Sequence, residues 1–139
     1  MIKKIVFSSD DKYLISLACD NIIRFWDSTT CKCVKTLPIR LSEATHNTTA
    51  NDTSSYVSTF AITPNDKKII IGYHDGSVDI VDLATDKCIQ SLKKDKTLIN
   101  SIAVSRDGNR FVTSSEASTK INADGAEIMG VSNIRLWGC

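Results

Sequence analysis

Apolar residues along this chain come in short runs, each broken after about five or six residues by polar turn formers. The stretch from Val57 to Leu92 shows it most clearly. Val57–Ile62 and residues 69–73 are largely apolar, and the second run is rich in β-branched residues. Thr63-Pro64-Asn65-Asp66 between them is built of turn residues. His74-Asp75-Gly76-Ser77 follows, and its Asp-Gly pair predicts a tight two-residue hairpin. Residues 78–82 read as a third strand, 83–86 as a turn and 87–92 as a fourth strand. No segment sustains helical periodicity, so the expected class is all-β.

The pattern repeats. Residues 2–37 fall without a gap on residues 57–92. Asp11, Lys12, Asp20, Asp27, Thr30, Lys32, Cys33 and Leu37 then meet Asp66, Lys67, Asp75, Asp82, Thr85, Lys87, Cys88 and Leu92. Phe25 meets Ile80, and Leu14-Ile15 meets Ile69-Ile70. A third copy begins at Ile99, with Val104-Ser105-Arg106-Asp107-Gly108 on Ile62-Thr63-Pro64-Asn65-Asp66. Repeats of this length with four strands each predict propeller blades. The expected organisation is blade one over 2–37, a polar insertion over 38–56, blade two over 57–92, and blade three over 99–139 with an insertion at 117–131.

Ile22-Ile23-Arg24-Phe25-Trp26-Asp27 resembles the strand ending in Trp-Asp that names the WD-repeat family. Asn133-Ile134-Arg135-Leu136-Trp137-Gly138 is similar, with Gly in place of Asp. The resemblance implies a β-propeller and, in each blade, a hydrogen-bonded tetrad of Trp, Ser or Thr, Asp and His. The first copy supplies Ser16, Asp20 and Trp26, followed by Asp27, but no His. The second keeps Asp75 and Asp82 but has Ile71 and Val81 at the Ser and Trp positions. The third has Thr113 and Trp137, its Asp displaced by the insertion. These residues are expected to be structural. The third blade ends after its third strand, and propellers have four to eight blades. The expectation is therefore a fragment of a larger propeller, with remaining blades from a longer chain or another chain.

Paired residues in an antiparallel hairpin have position numbers of constant sum. Two-residue turns at Asp20-Asn21 and Asp75-Gly76 predict Ile15 opposite Trp26 and Ile70 opposite Val81. The equivalent pair in the third copy is Val112 and Trp137, and Asp124-Gly125 lies midway between them. The second insertion is thus expected to lengthen the two flanking strands into a β-arm. Ile121 would face Ile128, and Asn122 would face Glu127.

Charge adds little. Seventeen basic and sixteen acidic residues leave a net charge of +1 over 139 residues, no general attraction for nucleic acid or anionic lipid. No apolar run is long enough for a membrane span and no secretory signal is apparent, so membrane insertion is not expected. Five cysteines without a secretory signal suggest free thiols in an intracellular, cytoplasmic setting. Cys31-Lys32-Cys33 lacks the second pair that a structural zinc site needs, and no metal or cofactor is expected. His46 and His74 are the only histidines, and no nucleophile elbow or phosphate loop accompanies them. The expected function is a non-catalytic scaffold that binds other proteins in a multi-protein complex. Both insertions belong to connections on the same face, which makes Arg40, Lys120, Ile121, Asp124 and Glu127 the candidate partner contacts. The alternatives are a module reading phosphopeptide or phosphoinositide, or part of a propeller enzyme whose site lies in other blades.

Overall fold

Each run of apolar residues pairs with the next across a tight turn, so neighbours in sequence become neighbours in a sheet. The computed structural model describes residues 1–39, 56–93, 97–115, 120–121, 127–128 and 133–138. β1 (Ile2–Phe7), β2 (Tyr13–Ala18), β3 (Ile22–Asp27) and β4 (Cys33–Pro38) form one antiparallel sheet in sequence order. β5 (Val57–Ile62), β6 (Lys68–Tyr73), β7 (Ser77–Asp82) and β8 (Lys87–Lys93) form a second with the same order. The third contains β9 (Ile99–Val104) and β10 (Arg110–Ser115), which pairs across the second insertion with a strand at Asn133–Gly138. Inside that insertion lie β11 (Lys120–Ile121) and β12 (Glu127–Ile128), paired with each other, so the Asn133–Gly138 strand is β13. No helix occurs among the described residues. The architecture is all-β, three antiparallel blades of a partial propeller, the third with three strands.

The turns repeat as faithfully as the strands. Positive φ falls at Asp11, Asp66 and Gly108 in the first turn of each blade, at Asn21 and Gly76 in the second, and at Cys31 and Asp86 in the third. In the first turns, Ser8, Thr63 and Ser105 donate their hydroxyls to Asp10, Asn65 and Asp107. The same hydroxyls accept the backbone N–H of Tyr13, Lys68 and Arg110. Each hairpin is closed by a local side-chain bridge that the Ser/Thr-x-Asp/Asn spacing encodes.

The second turns correct the expected register. The favoured two-residue hairpins need positive φ at the first central residue, yet Asp20 and Asp75 lack it and only Asn21 and Gly76 show it. Their N–H groups bond Ala18 and Tyr73 oxygens at 3.2 Å, the geometry of a turn followed by a left-handed residue. The loop gains a residue, and pairing shifts by one: Leu14, not Ile15, faces Trp26, and Ile69, not Ile70, faces Val81. Phe111 rather than Val112 faces Trp137. One residue of register turns a side chain to the other face, so Ile15 and Trp26 lie on opposite sides of blade one.

Alternation then builds two seams. Ile15, Leu17, Ile23, Phe25 and Leu37 of blade one pack against Val57, Phe60, Ile69, Ile71, Tyr73 and Val81 of blade two. Ile70, Val78 and Ile80 on the other side of blade two meet Ile99, Ile102 and Phe111 of blade three. Polar ties cross the first seam: Lys4 Nζ donates to Phe60 O at 2.6 Å and Thr59 Oγ1 at 3.2 Å, Lys3 Nζ to Val57 O, and Lys35 Nζ to Leu83 O. The second seam depends on Gly72, where blade one has Leu17. A Cβ there would sit 2.7 Å from Ile99 Cγ2, so only glycine admits blade three this closely.

Candidate functional site

Strand direction decides where connections can gather. The ends of β4 and β10 and the starts of β5 and β13 lie at one end of the blades, so both insertions leave from the same face. His74 and Tyr56 sit at this face, rings edge to face at 6.4 Å, with the His74 N–H bonded to Tyr56 O. Burial, and secondarily the charge of Lys3, holds the His74 imidazole below its ordinary pKa. Lys4, partly buried in the seam below, is likewise pushed down by burial.

Of the candidate partner contacts, Arg40 and Asp124 lie outside the described residues. Lys120, Ile121 and Glu127 are described in their backbone as parts of β11 and β12. The pairs are Lys120 with Ile128 and Ile121 with Glu127, not Ile121 with Ile128. Asn122, expected opposite Glu127, also lies outside the described residues. The correction is again one residue. Position numbers of the β11–β12 pairs and of all the β10–β13 pairs sum to the same value, 248. The short ladder therefore continues the blade's own register line, centred on position 124, the counterpart of Asp20 and Asp75.

The repeat residues hold the blades. Trp26 Nε1 donates to Ser16 Oγ at 2.8 Å, and Trp137 Nε1 to Thr113 Oγ1 at 3.1 Å. Trp137 also stacks on Phe111, centroids 6.1 Å apart. Asp20 accepts from Ile22 N–H and pairs with Arg24 at 2.6 Å, the Arg24 bond being the main reason its carboxyl titrates low. Asp75 accepts from Ser77. Asp27 caps the following turn by accepting the Thr29 and Thr30 N–H groups at 3.0 and 2.7 Å, and Asp82 does the same for Ala84 and Thr85 at 2.9 Å. Those Thr bonds hold both carboxyls below the usual carboxylate range.

Sequence reasoning overlooked Asp79. It is 2 % exposed and accepts hydroxyl bonds from Tyr73 and Ser91, a buried polar knot in the blade that lacks the Trp–Ser pair. The signal available was an Asp in an otherwise apolar strand run, Val78-Asp79-Ile80-Val81. Among the described residues no group of His, Cys, Asp or Glu could hold a metal, and no helix is long and apolar enough to cross a membrane.

Comparison with known proteins agrees with the blade geometry. Residues 2–27 match the family of the WD domain, G-beta repeat, and residues 40–107 match the WD40 domain of anaphase-promoting complex subunit 4. The chain belongs to the WD-repeat family. WD repeat-containing protein 3 from mouse and its human counterpart are each 25% identical over 112 residues, 81% of this chain. The match spans about a tenth of the length of those relatives. WD-repeat blades serve in general as protein-interaction scaffolds.

Proposed function

We propose that this chain is a non-catalytic interaction scaffold whose partners meet the face from which both insertions leave. The observation that carries the reading is the shared origin of two long connections at one end of rigid, repeat-locked blades. The β11–β12 ladder supports it, because a short hairpin on the blade's register line offers backbone edges for a partner strand. The family matched by residues 40–107 takes its name from a subunit of a multi-subunit complex, which fits a scaffold working inside an assembly. Four exposed free cysteines among the described residues suit a reducing, intracellular setting. Capture of partners from cells, with the intact chain against variants Arg40→Glu, Lys120→Glu and a short Gly-Ser replacement of residues 41–55, tests the proposal. The expected result is loss of specific partners with an unchanged melting temperature. Partners retained by all three variants would sink the reading.

A further inference from the structure

The seam between blades one and two is packed with apolar side chains over most of its length but opens at the end opposite the insertions. A cleft of about 400 Å³ lies there. Its floor is Ile15 and Phe25 with Ile62 and Leu83, and Tyr13 and Val34 stand at its mouth. Tyr13 is 39 % and Val34 54 % exposed, so apolar surface stays in water beside an apolar floor.

The rim is polar and its charges are unevenly matched. Lys35 bonds Leu83 O, pairs with Asp86 and lies over the Phe25 ring, which commits its charge to closing one wall. Lys12 pairs with Asp10 at 3.4 Å, and Ser8 and the Lys12 N–H hold the Asp10 carboxyl below its ordinary pKa. Asp66 differs. Its carboxylate accepts the Ser9 N–H at 3.0–3.1 Å and the Ser9 hydroxyl, and no cation pairs with it among the described residues. The charged residues that line the cleft are thus two carboxylates, Asp10 and Asp66, against one ammonium group, Lys35, and no ion pair reaches Asp66 among the described residues.

We propose that this cleft is a second docking surface, taking a peptide segment of another protein that inserts one bulky apolar side chain and sets a Lys or Arg against Asp66. An apolar side chain in the cleft would remove Tyr13, Val34 and its own surface from water together. A basic neighbour would supply the charge that Asp66 lacks, and an acidic or phosphorylated segment would be repelled by the same carboxylates. The surface lies at the other end of the blades from the insertions, so it stands apart from the function proposed above.

The test is selection of a displayed random-peptide library on the full 139-residue chain, followed by affinity measurement with the enriched peptide. Enriched sequences should carry one Leu, Phe or Trp with Lys or Arg within a few residues. Val34→Asp, at an exposed position, should weaken binding about tenfold, and Asp66→Asn, which keeps a side-chain oxygen to accept from Ser9, about threefold. Gln90→Ala, at an exposed position on β8 outside the cleft, should change nothing. Far-UV circular dichroism confirms that each variant folds, and Asp66→Asn decides by itself if Val34→Asp does not. No enrichment, enrichment of acidic peptides, or affinity indifferent to these cleft substitutions overturns the proposal. Binding that survives while the insertion variants keep all their partners would leave the cleft standing and fail only the insertion-face reading.

Discussion

The two faces of blade one are made from one sheet, one alternation and similar side chains, yet they sit in opposite surroundings. Toward blade two, Ile15, Leu17 and Ile23 are fully buried and Phe25 nearly so. Away from it, Ile5 and Phe7 are more than half exposed, Leu14 and Trp26 are not fully buried, and a small apolar hollow lies among Phe7, Leu14 and Trp26. Composition does not separate the faces; packing does. A strand's apolar positions say that a surface wants cover, and only the neighbouring sheet says whether it has found any.

Truncation on the two sides should therefore differ most. Phe60→Ala removes a fully buried ring from the seam and is expected to cost about 3–5 kcal/mol. Phe7→Ala removes an exposed ring of the same size and should cost under about 0.5 kcal/mol. Phe7→Ala should also reduce self-association of the chain, because it shrinks the uncovered apolar face. Denaturant melts and light scattering on both variants check this. Equal losses would mean that the two faces are equally packed.

The alternation that separates these faces was readable from the sequence, as were the repeat, β5 to the residue, and the Ser16–Trp26 and Thr113–Trp137 positions that turn out to be in hydrogen-bond contact. What sequence reasoning misjudged was one residue of register, and the cause is physical. Asp-Gly and Asp-Asn suit a two-residue turn and also a three-residue loop whose last residue alone is left-handed, and residue identity does not choose between them. The choice moved Ile15 from beside Trp26 to the opposite face. The cleft was equally hidden, since it is made by Phe25, Ile62, Asp66 and Leu83 meeting across a seam. Asp79 was passed over because an acidic residue in a strand reads as solvent-facing until Tyr73 and Ser91 are seen to enclose it.

Trp26 sharpens the contrast from the open side. Sequence reasoning predicted a mostly buried Trp26 and a large truncation cost. It is mostly buried as expected, though not fully so like Ile15 or Ile23, and it is anchored through Nε1 to the buried Ser16 hydroxyl. Trp26→Ala should cost about 1–2 kcal/mol, from partial burial and a hydrogen bond left unmade. Trp26→Phe should recover the packing share alone. A loss above about 3 kcal/mol would place Trp26 in a closed environment and erase the difference between the faces.

The smallest expected effect separates the seam from the turns by pH. His74 belongs to the seam's insertion end, where burial and then Lys3 of the neighbouring blade depress its pKa from 6.5. A depressed folded pKa contributes stability that is present above the unfolded value and lost as pH falls through the folded one. Stability should therefore be level above about pH 6.5, then decline as the unfolded imidazole takes up its proton first. The carboxyls of Asp27 and Asp82 act lower, because each is held below its ordinary value by a Thr inside its own turn. Their contribution is present above about pH 4 and disappears as pH falls through their lowered folded values. His74→Gln should flatten only the upper step, and Asp27→Asn with Asp82→Asn should reduce only the lower, to which Asp10, Asp20 and Asp107 also contribute. Chemical denaturation across pH 3 to 8 reads both steps. If His74→Gln leaves the step below pH 6.5 in place, that titration does not belong to the seam, and the line between seam and turn is drawn in the wrong place.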